Sequence, residues 1–198
     1  MSKGPHYWDA RYSEKGFAYG ELPNDFLKSA LPFKSQSQLS GRAISLCEGE
    51  GRNAVFLAQL GYQVTAVDFS AVGLLKAQAL AQRHGVHIDC VVTDLADLDL
   101  GTDQWDLVIA IFCQPESSVR QRLYGQLGHA LRQRGRFISE TKVESGPNAS
   151  DRYPGIGLLQ EELAPLKVVF AQEIERLLNE GTYHQGPHRT AQIQAVKG

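Results

Sequence analysis

From residue 43 onward, short apolar runs alternate with stripes of helical period. Residues 43–47 read as a strand. Residues 53–60 read as a helix that gathers Val55, Phe56, Leu57 and Leu60 on one face, with Gly61 as its stop. Residues 64–67 form a second apolar run, and Ser70 caps a helix over 71–84 that Gly85 ends. A third strand over 88–92 runs into Thr93-Asp94. Residues 105–112 are almost continuously apolar, as a parallel strand covered on both faces requires. A helix over 117–132 and a strand over 135–140 follow, then a loop over 142–156 holding Gly146, Pro147, Pro154 and Gly155. Residues 159–166 read as a short helix. There the rhythm changes: 168–178 and 190–196 alternate apolar with polar positions across a Gly181/Gly186/Pro187 connection, which predicts a hairpin.

Upstream, 23–31 reads as a short helix with Pro23 near its start and Asn24 or Asp25 as the cap. A polar loop covers 35–41, and 1–22 is rich in aromatics and glycine. The pattern predicts an α/β fold, a doubly wound Rossmann-like sheet that is mainly parallel and ends in an antiparallel hairpin. Its 198 residues suit a single domain, with 1–40 an N-terminal lid and helix segment and 41–198 the core. The first strand is expected at the centre, with its glycine turn at the point where strand order reverses.

Composition narrows the function classes. A net charge of -2 gives no basic footprint for nucleic acid. Cysteines at 47, 90 and 113 are too few and too scattered for a disulfide framework or a zinc site, and suit a reducing, cytoplasmic setting. No apolar run is long enough to cross a bilayer, and the N-terminus has no apolar signal core. The expected partner is therefore a small molecule, with no metal, nucleic acid or membrane; oligomeric state is left open.

The chemistry concentrates at Gly49-Glu50-Gly51-Arg52-Asn53-Ala54, which satisfies the dinucleotide pattern G-x-G-x-x-G/A. Nineteen residues past Gly49, Asp68 closes the second strand, where a carboxylate accepts ribose hydroxyls. Charge separates two cofactors. A pyrophosphate wants bare helix N–H groups, and Glu48 and Glu50 at about 4–6 Å would each oppose it by roughly 1 kcal/mol. S-adenosylmethionine carries a sulfonium and an ammonium but no phosphate, so the same carboxylates suit it. Asp94, ending the third strand, lies where an adenine amine would sit, with Leu95 to cover the ring.

These residues resemble the class I S-adenosylmethionine-dependent methyltransferases over nearly the whole chain. Leu46-Cys47-Glu48-Gly49-Glu50-Gly51-Arg52-Asn53 is similar to their first motif, Val67-Asp68-Phe69-Ser70 to the second and Thr93-Asp94-Leu95 to the third. Trp8-Asp9-Ala10-Arg11-Tyr12, the segment from Tyr19 to Leu27 and that from Asn179 to Gly186 resemble the small tellurite-resistance and thiol-methyltransferase-like branch. The resemblance implies that Cys47, Glu48, Gly49 and Gly51 meet the methionine part of S-adenosylmethionine. By the same resemblance Asp68 meets the ribose, Asp94 and Leu95 the adenine, and Ile111 the cofactor's centre, with Phe69 also a cofactor-binding candidate. Cys47 stands where the family usually has a small residue and Ser45 where many members have an acid. Gln114 follows Phe112-Cys113 without the catalytic cluster of enzymes that methylate DNA bases.

Methyl transfer from a sulfonium is an in-line displacement, which asks mainly for alignment and exclusion of water. Tyr7, Trp8, Tyr12 and Tyr19 are candidates for an aromatic lid, Tyr19 on the cofactor and Trp8 and Tyr12 on the substrate. His184 beside Tyr183 is the candidate base. Arg152 and Arg11 are candidates to hold an anionic substrate, and Cys113 is either a reactive strand-end thiol or an inert buried one. The expected function is methyl transfer to a small acceptor, a thiol or metalloid oxyanion. The alternatives are an NAD(P)-binding oxidoreductase and a non-catalytic nucleoside-binding regulatory protein.

Overall fold

The computed structural model describes residues 4–31, 41–144, 146 and 149–198. The polar loop expected over 35–41 lies outside these residues, apart from Gly41. In chain order the elements are α1 (Pro5–Tyr12), α2 (Asp25–Ala30), β1 (Gly41–Leu46), α3 (Arg52–Gln59), β2 (Tyr62–Asp68), α4 (Ala71–Arg83) and β3 (Asp89–Val92). Then come β4 (Trp105–Ile111), α5 (Ser117–Ala130), β5 (Leu131–Lys142), α6 (Ile156–Glu162), β6 (Lys167–Glu180) and β7 (His184–Val196). The strands form one seven-stranded sheet in the order β3-β2-β1-β4-β5-β7-β6. Strands β1 to β5 are parallel, and β7 runs antiparallel to both β5 and β6.

Local chemistry explains the helix ends. Ser70 accepts from the Gly73 N–H to cap α4, and Asn24 accepts from the Leu27 N–H to cap α2. Pro5 opens α1, where its missing N–H has no partner to lose. Leu27, Leu57 and Leu80 are fully buried on one side of the sheet, and Leu123, Leu127 and Phe137 on the other. Each such side chain contributes about 2–3 kcal/mol of burial, so the sheet is held between two apolar layers. No helix of the described residues is long and apolar enough to cross a membrane.

Several boundaries differ from the sequence pattern: the short helix expected over 159–166 is found at Ile156–Glu162, and the strand expected over 135–140 spans Leu131–Lys142. The helix expected over 117–132 stops at Ala130, because Leu131 already pairs with Trp105; the register then shifts before Leu107 pairs with Arg136. The final hairpin turns over residues 181–183, and Gly186 and Pro187 lie inside β7 opposite Leu178 and Leu177. Proline is tolerated there because β5 pairs with β7 only from Thr190 onward, which leaves that edge open. Within 1–22 the aromatics rise on a helix that rests against α4.

Strand order reverses between β1 and β4, which puts a crevice off the carboxyl ends of those strands. The turn of the last hairpin closes over the same end. A Cβ on Gly181 would lie 2.3 Å from the Gly20 nitrogen, and the Tyr183 N–H donates to the Ala18 carbonyl at 3.2 Å. This backbone contact fixes Tyr19 next to the hairpin.

Candidate functional site

A cavity of about 680 Å³ occupies the crevice. Strand ends supply its floor: Cys47 and Glu48 after β1, Asp68 and Phe69 at β2, Asp94 and Leu95 after β3, Ile111 and Phe112 at β4. Trp8, Tyr12 and Tyr19 from the N-terminal segment, Arg152, and Tyr183 and His184 from the hairpin complete the walls. The fold thus brings together nearly all the candidate residues. Gly49, Gly51, Tyr7 and Cys113 stand apart, for they are not among the lining residues.

The glycine turn is built by backbone geometry. Gly51 has φ +99°, and a Cβ there would sit 2.6 Å from the Ala77 Cα, so the glycine lets α3 pack against α4. Gly49 has φ +63°, and a Cβ there would meet the Tyr12 hydroxyl oxygen at 2.6 Å. Both positions therefore serve close packing behind the cavity wall. Cys47 holds φ +54°, a left-handed conformation that lets the chain leave β1 sharply.

The two turn carboxylates do not stand as free charges. Glu48 accepts from the Asn53 and Ala54 N–H groups at 3.1 and 2.9 Å, which caps the start of α3, and it also accepts from the Ser45 hydroxyl. Burial raises its carboxyl to about 7, despite the opposing effect of these hydrogen bonds and of Arg52. Glu50 accepts from the Ala18 N–H at 2.7 Å and pairs with Lys76 at 2.5 Å. Both residues nevertheless line the cavity, so their charge is divided between these partners and the site. The turn needs its own acids to satisfy helix N–H groups and to anchor residue 18.

Asp68 accepts from the Gly49 and Ser70 N–H groups, both at 2.9 Å. Burial raises its carboxyl from 3.8 to about 6, against those hydrogen bonds. Asp94 is exposed at the cavity edge and accepts from the Ala96 N–H at 2.8 Å, while Leu95 beside it is buried.

The opposite wall is aromatic and cationic. Trp8 stacks on Tyr12 with ring centres 5.6 Å apart, and Tyr19 lies 4.5 Å from the His184 ring. Arg11 sits 3.7 Å over the Tyr183 ring and donates to the Tyr19 hydroxyl at 3.1 Å. The Tyr183 hydroxyl donates to Glu14 at 2.7 Å. His184, wedged between Tyr19 and Phe112, is 8% exposed, with Nδ1 3.7 Å from Glu180 and no hydrogen-bond partner among the described residues. Burial lowers its pKa below 6.5, helped by Lys142 and Arg52 and opposed by Glu180, so the ring is neutral at pH 7.

Behind His184 lies a buried polar network that the sequence pattern did not signal. Arg52 donates to Glu180 at 2.7 Å, while its Nη1 has no partner among the described residues. Asn24, besides capping α2, donates to Glu140 at 2.6 Å and to Glu180 at 3.0 Å. Arg176 contacts both acids. Burial opposes ionisation of Glu180, yet His184, Arg52 and Arg176 around it bring its carboxyl down to about 2. These partners come from four distant segments, so no local spacing announces them. Arg152 lines the cavity but pairs with Glu116 at 2.6 Å and donates to the Gln114 carbonyl at 3.2 Å. Its charge is thus shared with the wall.

A family model described as a methyltransferase domain matches residues 43–135. A comparison with the curated proteins found no match. Among solved structures the chain is similar to one described as the conversion of a disulfide bond into a thioacetal group during echinomycin biosynthesis. That pair has 16% identity, 98% of this chain and 93% of that one covered, and a TM-score of 0.76. It is also similar to TehB from Haemophilus influenzae, at 14% identity, 98% and 67% covered, and a TM-score of 0.71. A third is an S-adenosylmethionine-dependent methyltransferase from Mesorhizobium loti, at 16% identity, 86% and 95% covered, and a TM-score of 0.64. At these identities the structures speak for the Rossmann-like fold alone, and residues 43–135 are similar to the methyltransferase-domain family.

Proposed function

We propose that this chain is an S-adenosylmethionine-dependent methyltransferase, a reading its similarity to the methyltransferase-domain family supports, and that it methylates a small soft nucleophile, a thiol or a metalloid oxyanion, inside the cavity. One observation carries the choice of donor. Where a dinucleotide's pyrophosphate would need free N–H groups at the start of α3, those of Asn53 and Ala54 are already held by Glu48. This arrangement supports a nucleoside without phosphates over a dinucleotide.

In this reading Asp68 receives the ribose hydroxyls, Asp94 and Leu95 border the adenine, and the Cys47–Glu48 backbone with Ile111 borders the centre. When bound, S-adenosylmethionine supplies an electrophilic methyl group on sulfur. The protein aligns the acceptor and excludes water. Trp8, Tyr12 and Tyr19 form the water-excluding wall and offer ring faces to positive charge, worth roughly 0.5–2 kcal/mol. Neutral His184 takes a proton from an acceptor thiol, and Arg52 with Arg11 gives the nucleophile's negative charge a favourable surrounding. A cavity of about 680 Å³ walled on several sides supports a small acceptor over a polymer. The tellurite-resistance and thiol-methyltransferase-like branch remains a reading of the motifs in the N-terminal segment and the hairpin.

Calorimetric titration with S-adenosylhomocysteine and NAD, followed by a methylation panel of thiols, amines and oxyanions, tests this. The expected result is micromolar or tighter binding of the homocysteine nucleoside, no binding of NAD, and turnover on thiols or oxyanions. NAD binding without a response to the sulfur nucleosides would overturn the donor. Binding without turnover on any acceptor would favour the regulatory alternative.

A further inference from the structure

Methyl transfer as proposed makes no use of a thiol pair of which one member, Cys47, lines the cavity. Cys47 follows β1 and Cys113 lies two residues past β4, and the two Sγ atoms are 2.6 Å apart. Two thiols at van der Waals contact stand about 3.6 Å apart, and a disulfide bond measures about 2.05 Å, so these sulfurs need only a small movement to bond. Cys47 is half-buried and lines the cavity; Cys113 is buried. The positive φ angles of Cys47 (+54°) and Phe112 (+52°) turn the two strand ends so that the side chains meet. The third cysteine, Cys90 on β3, is a free thiol bonded weakly to the Leu74 carbonyl at 3.8 Å.

We infer that Cys47 and Cys113 are a reversible modification site: a hydroperoxide of small size oxidises them to an intramolecular cystine across the two strands that border the crevice. The cavity admits the oxidant to Cys47. The Cys47 sulfur, as thiolate, attacks a peroxide oxygen; the O–O bond breaks, giving a sulfenic acid and an alcohol, or water from hydrogen peroxide. The Cys113 sulfur then attacks the Cys47 sulfur. The S–S bond forms, the S–O bond breaks, and the departing hydroxide leaves as water with the Cys113 proton. Two electrons pass from two thiols to one peroxide, and a low-molecular-weight dithiol reverses the change by exchange. Contact with Cys113 and burial push the Cys47 thiol well up, so the attacking thiolate is scarce at neutral pH and the oxidation should quicken as pH rises.

The cystine fixes the spacing of the β1 and β4 ends at the point where the proposed ligand enters. Oxidation and ligand occupancy should therefore oppose each other, a corollary that rests on the donor reading above. The pairing does not.

The test is intact-mass and peptide mapping of the full chain after hydrogen peroxide, alkylating remaining thiols before digestion. The expected result is loss of two mass units, a peptide crosslink between Cys47 and Cys113, and alkylation of Cys90 alone. Cys90→Ser should keep the mass loss, and Cys113→Ser should abolish it and leave Cys47 carrying one added oxygen or a dimer link. Two alkylatable thiols at 47 and 113 under conditions that oxidise Cys90, or a crosslink that involves Cys90, would overturn the site. Saturating S-adenosylhomocysteine should slow the oxidation at least several-fold. If the crosslink forms at the same rate with that nucleoside present although calorimetry shows it bound, the opposition of oxidation and occupancy is refuted and the pairing stands. If the nucleoside does not bind at all, the donor reading falls and the pairing again stands.

Discussion

Replacing Asp68 with Asn should separate stability from binding. Burial lifts this carboxyl from 3.8 to about 6, equivalent to about 3 kcal/mol of preference for the protonated form. Between pH about 4 and about 6 the folded chain holds a proton that the unfolded chain has released, so stability falls as pH rises through that window. Above it the ionised Asp68 burdens the fold by the full amount. Asp68→Asn keeps the shape and removes this burden. Its amide must still face the N–H of Gly49 or Ser70, which costs about 1–3 kcal/mol. The two effects nearly cancel, and urea unfolding at neutral pH should place the variant within about 2 kcal/mol of the parent, with the decline between pH 4 and 6 reduced to the part that Glu48, raised to about 7, still contributes. Binding behaves otherwise. Loss of charge-assisted hydrogen bonds to a ribose should weaken S-adenosylhomocysteine by about 1–3 kcal/mol, roughly 5- to 150-fold. In the parent the affinity should fall below pH about 6, where Asp68 takes up its proton. A variant that unfolds 4 kcal/mol sooner refutes the burial argument, and unchanged affinity removes Asp68 from the site.

Gly51→Ala forces a side chain into φ +99° and against the Ala77 backbone at 2.6 Å; strain and overpacking together should cost about 2–5 kcal/mol. Thermal unfolding should drop by on the order of 10 °C, and a Tm within 2 °C of the parent would refute the packing role. Arg120 and Glu162 form a two-point pair at 2.7 and 2.9 Å with side chains 3% and 6% exposed. Arg120→Ala should destabilise by about 3–5 kcal/mol, whereas the double change to Met at both positions should recover most of that in denaturant titration. His184→Ala should lower kcat on a thiol acceptor by about 10²- to 10⁴-fold with little change in S-adenosylhomocysteine affinity. Because the ring's pKa lies below 6.5, the parent's rate should decline only on the acid side of that value, and an equal rate in the variant would dismiss the base.

Much of this was legible in the chain before folding. Strand β4 shows as an unbroken apolar run because both its faces are covered, and α4 shows through the Ser70 cap and the stop at Gly85. The helix on Pro5–Tyr12 was hidden, since its aromatics face a cavity and make no clean apolar stripe. Boundaries slipped where pairing overrode local propensity, at Leu131 and at Pro187.

Periodicity and punctuation thus determined the alternation of strands and helices, the closing hairpin and the cluster of acids at strand ends, because those depend on residues a few positions apart. Only the tertiary structure decided which charges are free. Glu48 and Glu50 look alike in sequence, yet one caps α3 and the other pairs with Lys76. The Asn24–Glu140–Glu180–Arg52 network and the meeting of Cys47 with Cys113 join positions up to 156 residues apart. Such contacts follow from where strands stack in the sheet, and strand order is a property of the whole chain's packing that no local window contains.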